Sequence, residues 1–210
     1  MSKIFKKINE AIEDGDVEEV VELVEEALED EKDPTDIMNQ GLIGGMNIVG
    51  ELFKEGEIFV PEVLMSANAM DAGMEVIRPY LQEGDIKKKG KMVFCTVEGD
   101  LHDIGKKLCV MMLEGAGYEV FDLGVDVGVQ QIIDAVKEHA PDIVAMSAML
   151  TTTMVTMDEA VDALQKNGFN DVKVMVGGAP LSADYAAGIS ANYSEDAVTA
   201  VELADSLMAG

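Results

Sequence analysis

Tryptophan is absent from this chain, and only two histidines, two cysteines, five prolines, four tyrosines and six phenylalanines occur among its 210 residues. Two cysteines make no disulfide framework. Cys95 falls in an apolar run and Cys109 in an amphipathic one, so both read as buried thiols of a reducing cytoplasm. No apolar stretch reaches the roughly 18 residues that a membrane span needs. The start, Met1-Ser2-Lys3-Ile4-Phe5-Lys6-Lys7-Ile8, carries charge but no apolar signal core. Basic residues are scarce as well: 15 Lys and Arg stand against 41 Asp and Glu, a formal charge of −26. That balance excludes nucleic acid and anionic membrane as partners, since both need a basic face. The acidity reads either as solubility or as steering toward a protein partner with a basic cleft. There is no Gly-x-Gly-x-x-Gly and no Gly-Lys-Ser/Thr, so no phosphate-cradling loop is expected.

What is present divides into two halves. Up to about residue 84 the pattern is helical. Val17, Val20, Val21, Val24, Ala27 and Leu28 form one apolar stripe with acids between them. Asp14-Gly15-Asp16 supplies a turn and an N-cap before that helix, and Asp33-Pro34-Thr35 breaks the chain after it. A third helix is expected from Pro34 to Phe53, and a fourth from Pro61 carrying Val63, Leu64, Ala67, Met70, Met74 and Ile77. Four helices with short connections predict an antiparallel bundle. Gly84-Asp85-Ile86-Lys87-Lys88-Lys89-Gly90 is the composition shift and reads as a linker, so the domains are expected at 1–89 and 90–210.

From Lys91 onward strand and helix alternate. Strands are expected near 91–97, 119–123, 142–147, 172–176 and 191–193, and helices near 104–116, 129–139, 155–167, 182–188 and 195–208. This rhythm predicts a flavodoxin-like (Rossmann-like) α/β domain: a parallel sheet with helices on both faces. In such sheets ligands bind beyond the carboxyl ends of the strands. Three loops fall there: Glu98-Gly99-Asp100-Leu101-His102-Asp103-Ile104-Gly105, then Ser147-Ala148-Met149-Leu150-Thr151-Thr152-Thr153, then Gly177-Gly178-Ala179-Pro180. His102, two residues from a carboxylate, has what a metal-ligating imidazole needs: one ring nitrogen for the metal, the other held by an acid that fixes the tautomer. The pair alone allows any metal, or a catalytic base. The glycines let a flat or bulky ligand approach the backbone. His139, late in a polar helix, has no such context and reads as a helix C-terminal residue.

Asp100-x-His102-x-x-Gly105, with Ser147 and then Gly177-Gly178 downstream, resembles the signature of methyltransferase-type cobalamin-binding (corrinoid) proteins, also found as a module of methionine synthase. The helical half shares the resemblance. Glu51-Leu52-Phe53-Lys54-Glu55-Gly56-Glu57-Ile58-Phe59-Val60-Pro61-Glu62-Val63 is similar to the family's cap loop. Met146-Ser147-Ala148-Met149-Leu150-Thr151-Thr152-Thr153-Met154 is close to that of the stand-alone corrinoid proteins of methylamine, quaternary-amine and methanol systems. Met149 departs from the common Ser-x-Leu pattern, a swap of similar volume that a pocket tolerates.

The resemblance implies a four-helix cap over a cobalamin-binding domain. It implies a corrinoid (methylcob(III)alamin or cob(I)alamin) with His102 as lower axial ligand to cobalt, Asp100 on the other ring nitrogen and Thr153 bonding that carboxylate. Leu101, Asp103, Ile104, Gly105, Met149, Leu150 and Thr151 would surround the cofactor. Ser147, Gly177, Gly178 and Ala179 would line a pocket for its nucleotide tail, and Phe53, Val60 and Val63 would shield the methyl group. Without the resemblance, Asp100 reads as a helix-capping acid, Ser147 and the glycines as turn residues, and the three cap residues as bundle core.

The activity implied is that of a methyl carrier with no turnover alone. A substrate-specific methyltransferase loads cobalt from a methylated amine or similar donor. A second methyltransferase passes the group to tetrahydrofolate or a thiol coenzyme, and a reductive activase restores Co(I). Co(I) prefers four-coordination, so His102 would let go and the Asp100–Thr153 relay would gain a proton. Three other classes fit less well. A cobalamin-dependent light sensor or regulator needs a DNA-binding domain and a histidine in its bundle. An adenosylcobalamin mutase subunit carries no such cap. A receiver or plain flavodoxin-like domain has no use for the Asp–His pair.

Overall fold

The computed structural model describes residues 2–81 and 88–209. The chain divides into two compact units, Met1–Lys87 with Gly115–Gly117, and Lys88–Glu114 with Tyr118–Gly210. Of the expected linker, residues 84–87 lie outside the described residues.

The helical unit contains α1 (Lys3–Asp14), α2 (Val17–Glu29), α3 (Pro34–Asp36), α4 (Ile43–Glu55) and α5 (Val60–Ile77). Asp16 caps α2 by accepting from the Glu19 N–H, and Asp33 caps α3 by accepting from Thr35 and Asp36. The expected third helix is α3 and α4 joined by a π-helical stretch, Ile37–Leu42. Wide turns of this kind leave backbone groups poorly matched. Here the buried Asn9 side chain donates to the Gln40 and Gly41 carbonyls at 3.0 and 2.5 Å. Small residues bring α1 close to this helix. A Cβ at Gly45 would stand 2.7 Å from Ile12 Cβ, and one at Gly41 would stand 3.2 Å from Ile8 Cγ2. Helix α5 begins one residue before the expected Pro61, because Glu62 Oε2 accepts from the Phe59 N–H at 2.6 Å and sets the start there. Ile8, Ile12, Val20, Val24, Leu42 and Val49 are among the buried apolar residues of this unit.

The second unit alternates as expected: β1 (Lys91–Thr96), α6 (Ile104–Gly115), β2 (Glu119–Asp122), α7 (Val129–His139), β3 (Ile143–Ser147), α8 (Met154–Lys166), β4 (Lys173–Gly177), α9 (Ala183–Gly188), β5 (Asn192–Ser194) and α10 (Ala197–Ala209). All pairings are parallel and the strand order is β2-β1-β3-β4-β5. Strands β1, β3 and β4 are nearly continuous buried runs, which a sheet covered on both faces requires.

Two consequences of this topology position the site. First, the order reverses between β1 and β3, and the crevice at such a switch point is where this fold takes its ligands. Second, the register puts Thr96, Ser147, Gly177 and Ser194 in one row across β1, β3, β4 and β5. The loops leaving β1, β3 and β4 therefore start level with one another.

Lys89 bonds Asp205 at 2.8 Å, and Tyr118 donates to the same carboxylate at 2.7 Å. Cys95 and Cys109 are free, and burial pushes each thiol up to about 12. No helix among the described residues is long and apolar enough to cross a membrane.

Candidate functional site

The β1–α6 loop opens with a turn in which the Asp100 N–H donates to the Val97 carbonyl at 3.1 Å and Gly99 sits at φ 81°. A left-handed residue is needed there, and glycine supplies it without strain. The turn buries Asp100 completely while leaving the His102 side chain about half exposed. Asp100 Oδ1 receives the His102 N–H at 3.1 Å and approaches His102 Nδ1 at 2.7 Å. Oδ2 receives the Met149 N–H at 2.7 Å, the Leu150 N–H at 3.2 Å and the Thr153 hydroxyl at 3.0 Å. Asp100 thus stitches the β1 and β3 loops together across the switch point.

That environment settles its charge. Burial alone would push the Asp100 carboxyl up, but hydrogen bonds from Met149, His102 and Thr153 outweigh it and hold the group well below the usual carboxylate range. A carboxylate accepts only, so Nδ1 of His102 carries the hydrogen, which in the neutral ring leaves the lone pair on Nε2. Thr153 Oγ1 also lies 2.9 Å from the Leu150 carbonyl. Its single hydrogen goes to the charged acceptor, Asp100.

The other expected site residues fall as follows. Asp103 pairs with Lys107 at 2.6 Å, which lowers its carboxyl. Leu101 and Ile104 are 71% and 80% exposed, and Met149 and Leu150 are also open to solvent. Four exposed apolar residues around one imidazole are unusual for a solvated edge. Thr151 and Ala179 are exposed. Ser147 is half-buried, and its hydroxyl has no hydrogen-bond partner among the described residues. A Cβ at Gly105 would meet nothing within 4 Å, so the fold itself does not require glycine there.

Gly177 and Gly178, by contrast, are required by the chain's own packing. A Cβ at Gly177 would come within 3.0 Å of the Ser194 carbonyl. One at Gly178, where φ is 132°, would stand 2.0 Å from the Ala148 carbonyl oxygen. The Ala148 N–H also donates to the Gly177 carbonyl at 3.2 Å, lacing the β3 and β4 loops together. Gly178→Ala should therefore cost on the order of 3 kcal/mol and reduce ligand uptake as well. Thermal melting with and without ligand checks this, and an unchanged melt would show that the two loops need no such approach.

In the helical unit, Phe53 and Val60 are half-buried and Val63 is fully enclosed. Phe59, which sequence reading passed over, is 67% exposed. His139 stacks on Phe121 with ring centroids 3.9 Å apart. Sequence reading also passed over Thr96, whose hydroxyl donates to the His102 carbonyl at 3.0 Å, and the Lys106–Asp122 pair. Thr96 is only six residues from His102, but a bond to a backbone carbonyl leaves no pattern in a sequence; Asp122 is brought to Lys106 by the β1–β2 register, which one sequence does not reveal.

These residues fit a cobalt corrinoid. Among the described residues no cluster of three or more His, Cys, Asp or Glu side chains is placed to hold a metal. A lone imidazole ligates a metal that brings its other ligands with it, as a macrocycle does. The exposed apolar residues beside His102 suit a broad, partly apolar ring, and the open position at Gly105 leaves room for close approach.

Comparison with known proteins agrees. Residues 4–78 and residues 90–209 each match a family model described as a B12 binding domain. Trimethylamine corrinoid protein 1 of Methanosarcina acetivorans is 43% identical over 203 residues, covering 95% of this chain and 94% of that protein. A methanol:cobalamin methyltransferase complex from Methanosarcina barkeri contains a chain of the same fold, with TM-score 0.92 and 36% identity, covering 100% of this chain and 81% of that one. A cobalamin-binding protein from Desulfitobacterium hafniense matches with TM-score 0.80 and 36% identity, covering 97% and 98%. With a helical domain and a parallel α/β domain that both match, and a corrinoid as the cofactor, the chain belongs to the family of B12-binding corrinoid proteins.

Proposed function

We propose that this protein is a methyl carrier between two methyltransferases, loaded from a methylated amine. The observation that carries the site is the buried Asp100 carboxylate holding His102 Nδ1 at 2.7 Å, with Thr153 behind it. The observation that carries the donor class is the 43% identity to a trimethylamine corrinoid protein. Methanol is the second reading, on the structural likeness to the methanol:cobalamin complex.

A bound corrinoid supplies a cobalt that takes a methyl group from one partner and yields it to another. The chain's residues do the rest. His102 would hold the metal through Nε2. Asp100 fixes the ring's tautomer and orientation through Nδ1–H. The proton expected of the Asp100–Thr153 relay would sit at His102 Nε2 and not on Asp100, whose carboxyl its hydrogen bonds hold well below the usual range, so Asp100 and Thr153 would steady the resulting imidazolium. Ser147, whose hydroxyl is uncommitted, would bond the nucleotide tail, with Gly177, Gly178 and Ala179 beside it. Leu101, Asp103, Ile104, Gly105, Met149, Leu150 and Thr151 would surround the corrinoid.

In this reading residues 1–89 are the cap domain and residues 90–210 the corrinoid domain. Phe53, Val60 and Val63 of the cap would exclude water from the methyl group. A cognate methyltransferase, a second one acting on tetrahydrofolate or a thiol coenzyme, and a reductive activase are the partners. The protein alone turns nothing over. The compartment is the cytoplasm, which suits its two free thiols.

The test is a panel. Corrinoid-loaded protein, its cobalt first reduced to Co(I) with titanium(III) citrate, is offered trimethylamine, dimethylamine and methanol, each with its own methyltransferase, and methylation is followed by visible absorption. Methylation with an amine enzyme only is expected. Methylation with the methanol enzyme alone would move the assignment to the second reading, and none with any enzyme would overturn the carrier function.

A further inference from the structure

The segment joining β2 to α7 grips the His102 loop. Thr96 N–H donates to the Gly124 carbonyl at 3.0 Å, and Val127 N–H donates to the Thr96 carbonyl at 3.1 Å. Beyond this strand-like pairing, Asp126 makes two bonds of its own. Its Oδ1 accepts from the Gly99 N–H at 2.7 Å, and its N–H donates to the Asp100 carbonyl at 3.1 Å. Both partners lie in the turn that delivers the imidazole. Asp126 reaches them only in the left-handed conformation, φ 57°. That conformation is uncommon for a residue with a side chain, though Asp tolerates it better than most. A residue kept there is held by its surroundings, and here those surroundings are the His102 loop.

The far end of the loop is fixed separately. Lys106, in the first turn of α6, has a side chain that is 1% exposed, and its ammonium bonds both carboxylate oxygens of Asp122. Asp122 Oδ1 also accepts from the Gly124 N–H at 2.9 Å. A buried ammonium paired this way anchors α6 to the end of β2 whatever happens at Asp126. Loss of the Asp126 carboxylate therefore loosens the near end alone, the end that carries Gly99, Asp100 and His102.

We propose that Asp126 is a positioning residue for the axial histidine: its carboxylate fixes the turn Val97–Asp100, and so the place from which His102 reaches cobalt. The proposal rests on His102 as the ligand. It concerns a residue that touches neither metal nor imidazole and acts only through the backbone of its neighbours.

Three substitutions separate the possible causes. Asp126→Asn keeps an acceptor oxygen and tolerates the left-handed backbone. Asp126→Gly keeps the backbone and removes the acceptor. Asp126→Ala removes both. With corrinoid bound, the visible spectrum reports the ratio of His-on to His-off forms, and His102→Ala supplies the His-off end point. The ratio should fall roughly three- to tenfold in the glycine and alanine variants, the scale of one ordinary hydrogen bond at an exposed site. The asparagine variant should stay within about twofold of wild type.

In the protein without corrinoid, hydrogen exchange at the Gly99 N–H should speed up by about tenfold in the glycine and alanine variants and little in the asparagine variant. Wild-type ratios in both glycine and alanine variants would overturn the proposal. So would a loss in alanine but not glycine, which would assign the effect to the backbone. An equal loss in asparagine would overturn it too. Unchanged exchange at Gly99 overturns the clasp independently of the metal. A wild-type protein with no His-on spectrum would instead count against the histidine as ligand.

Discussion

Replacing His102 by alanine should leave corrinoid uptake largely intact while abolishing the His-on visible spectrum. The ring is one contact among many. The exposed apolar residues Leu101, Ile104, Met149 and Leu150 and the loops after β3 and β4 remain. Affinity should therefore fall by no more than about tenfold, or 1.4 kcal/mol. Asp100 keeps its bonds from Met149, Leu150 and Thr153 in this variant, so the fold should survive. Titration of the apo-variant with corrinoid gives the affinity and the spectrum in one experiment. An unchanged spectrum would remove His102 from the metal.

Asp100→Asn should be the more damaging change, and it should act on stability as well as on the metal. The amide presents a nitrogen donor where the carboxylate now accepts. One of its two ends must face N–H or O–H donors that then have nothing to bond. With the site fully buried, the cost is about 3 kcal/mol. Metal affinity should drop a further 10- to 100-fold or so, the usual effect of losing the group that orients a ligating histidine.

The pH dependence follows from the sign of the shift. The Asp100 carboxyl is lower in the folded chain than in the unfolded one, where it titrates near 3.9. Above that value both states are ionised and the stabilisation is fully present. As the pH falls below it, the unfolded chain takes up a proton that the folded chain refuses, and the stabilisation is lost. Wild type and Asp100→Asn should therefore differ most near neutrality and converge in acid. Urea unfolding followed by circular dichroism measures this, since the chain has no tryptophan to follow. A gap that widens on acidification would contradict the network.

Sequence and structure agree best where the signal is local and repeated. The strand–helix alternation after Lys91 is legible because buried parallel strands are continuous apolar runs and glycine or proline marks their ends. The Asp100–His102 pair is legible because both residues lie in one short loop. Less visible are features made by residues distant in sequence. The π-helical stretch at Ile37–Leu42 depends on Asn9, about thirty residues away, and nothing periodic announces it. The level row of Thr96, Ser147, Gly177 and Ser194 is a property of register. Gly177 and Gly178 were legible as glycines needed for close approach, but the approach the structure records is that of Ser194 and Ala148. Asp126 looks like any loop acid until the backbone of Gly99 is set beside it.

The central claim is that His102, and no other group, is the lower ligand of cobalt. Paramagnetic resonance of the cobalt(II) form of corrinoid-loaded protein tests it directly, because the axial nitrogen splits the cobalt lines. The chain has only two histidines, and His139 is stacked against Phe121. Protein grown with nitrogen-15 histidine and loaded with unlabelled corrinoid should change the splitting from a triplet to a doublet, and His102→Ala should abolish it. A triplet that persists in the labelled protein would mean that the corrinoid's own base remains on the metal, and the site built around His102 would be wrong.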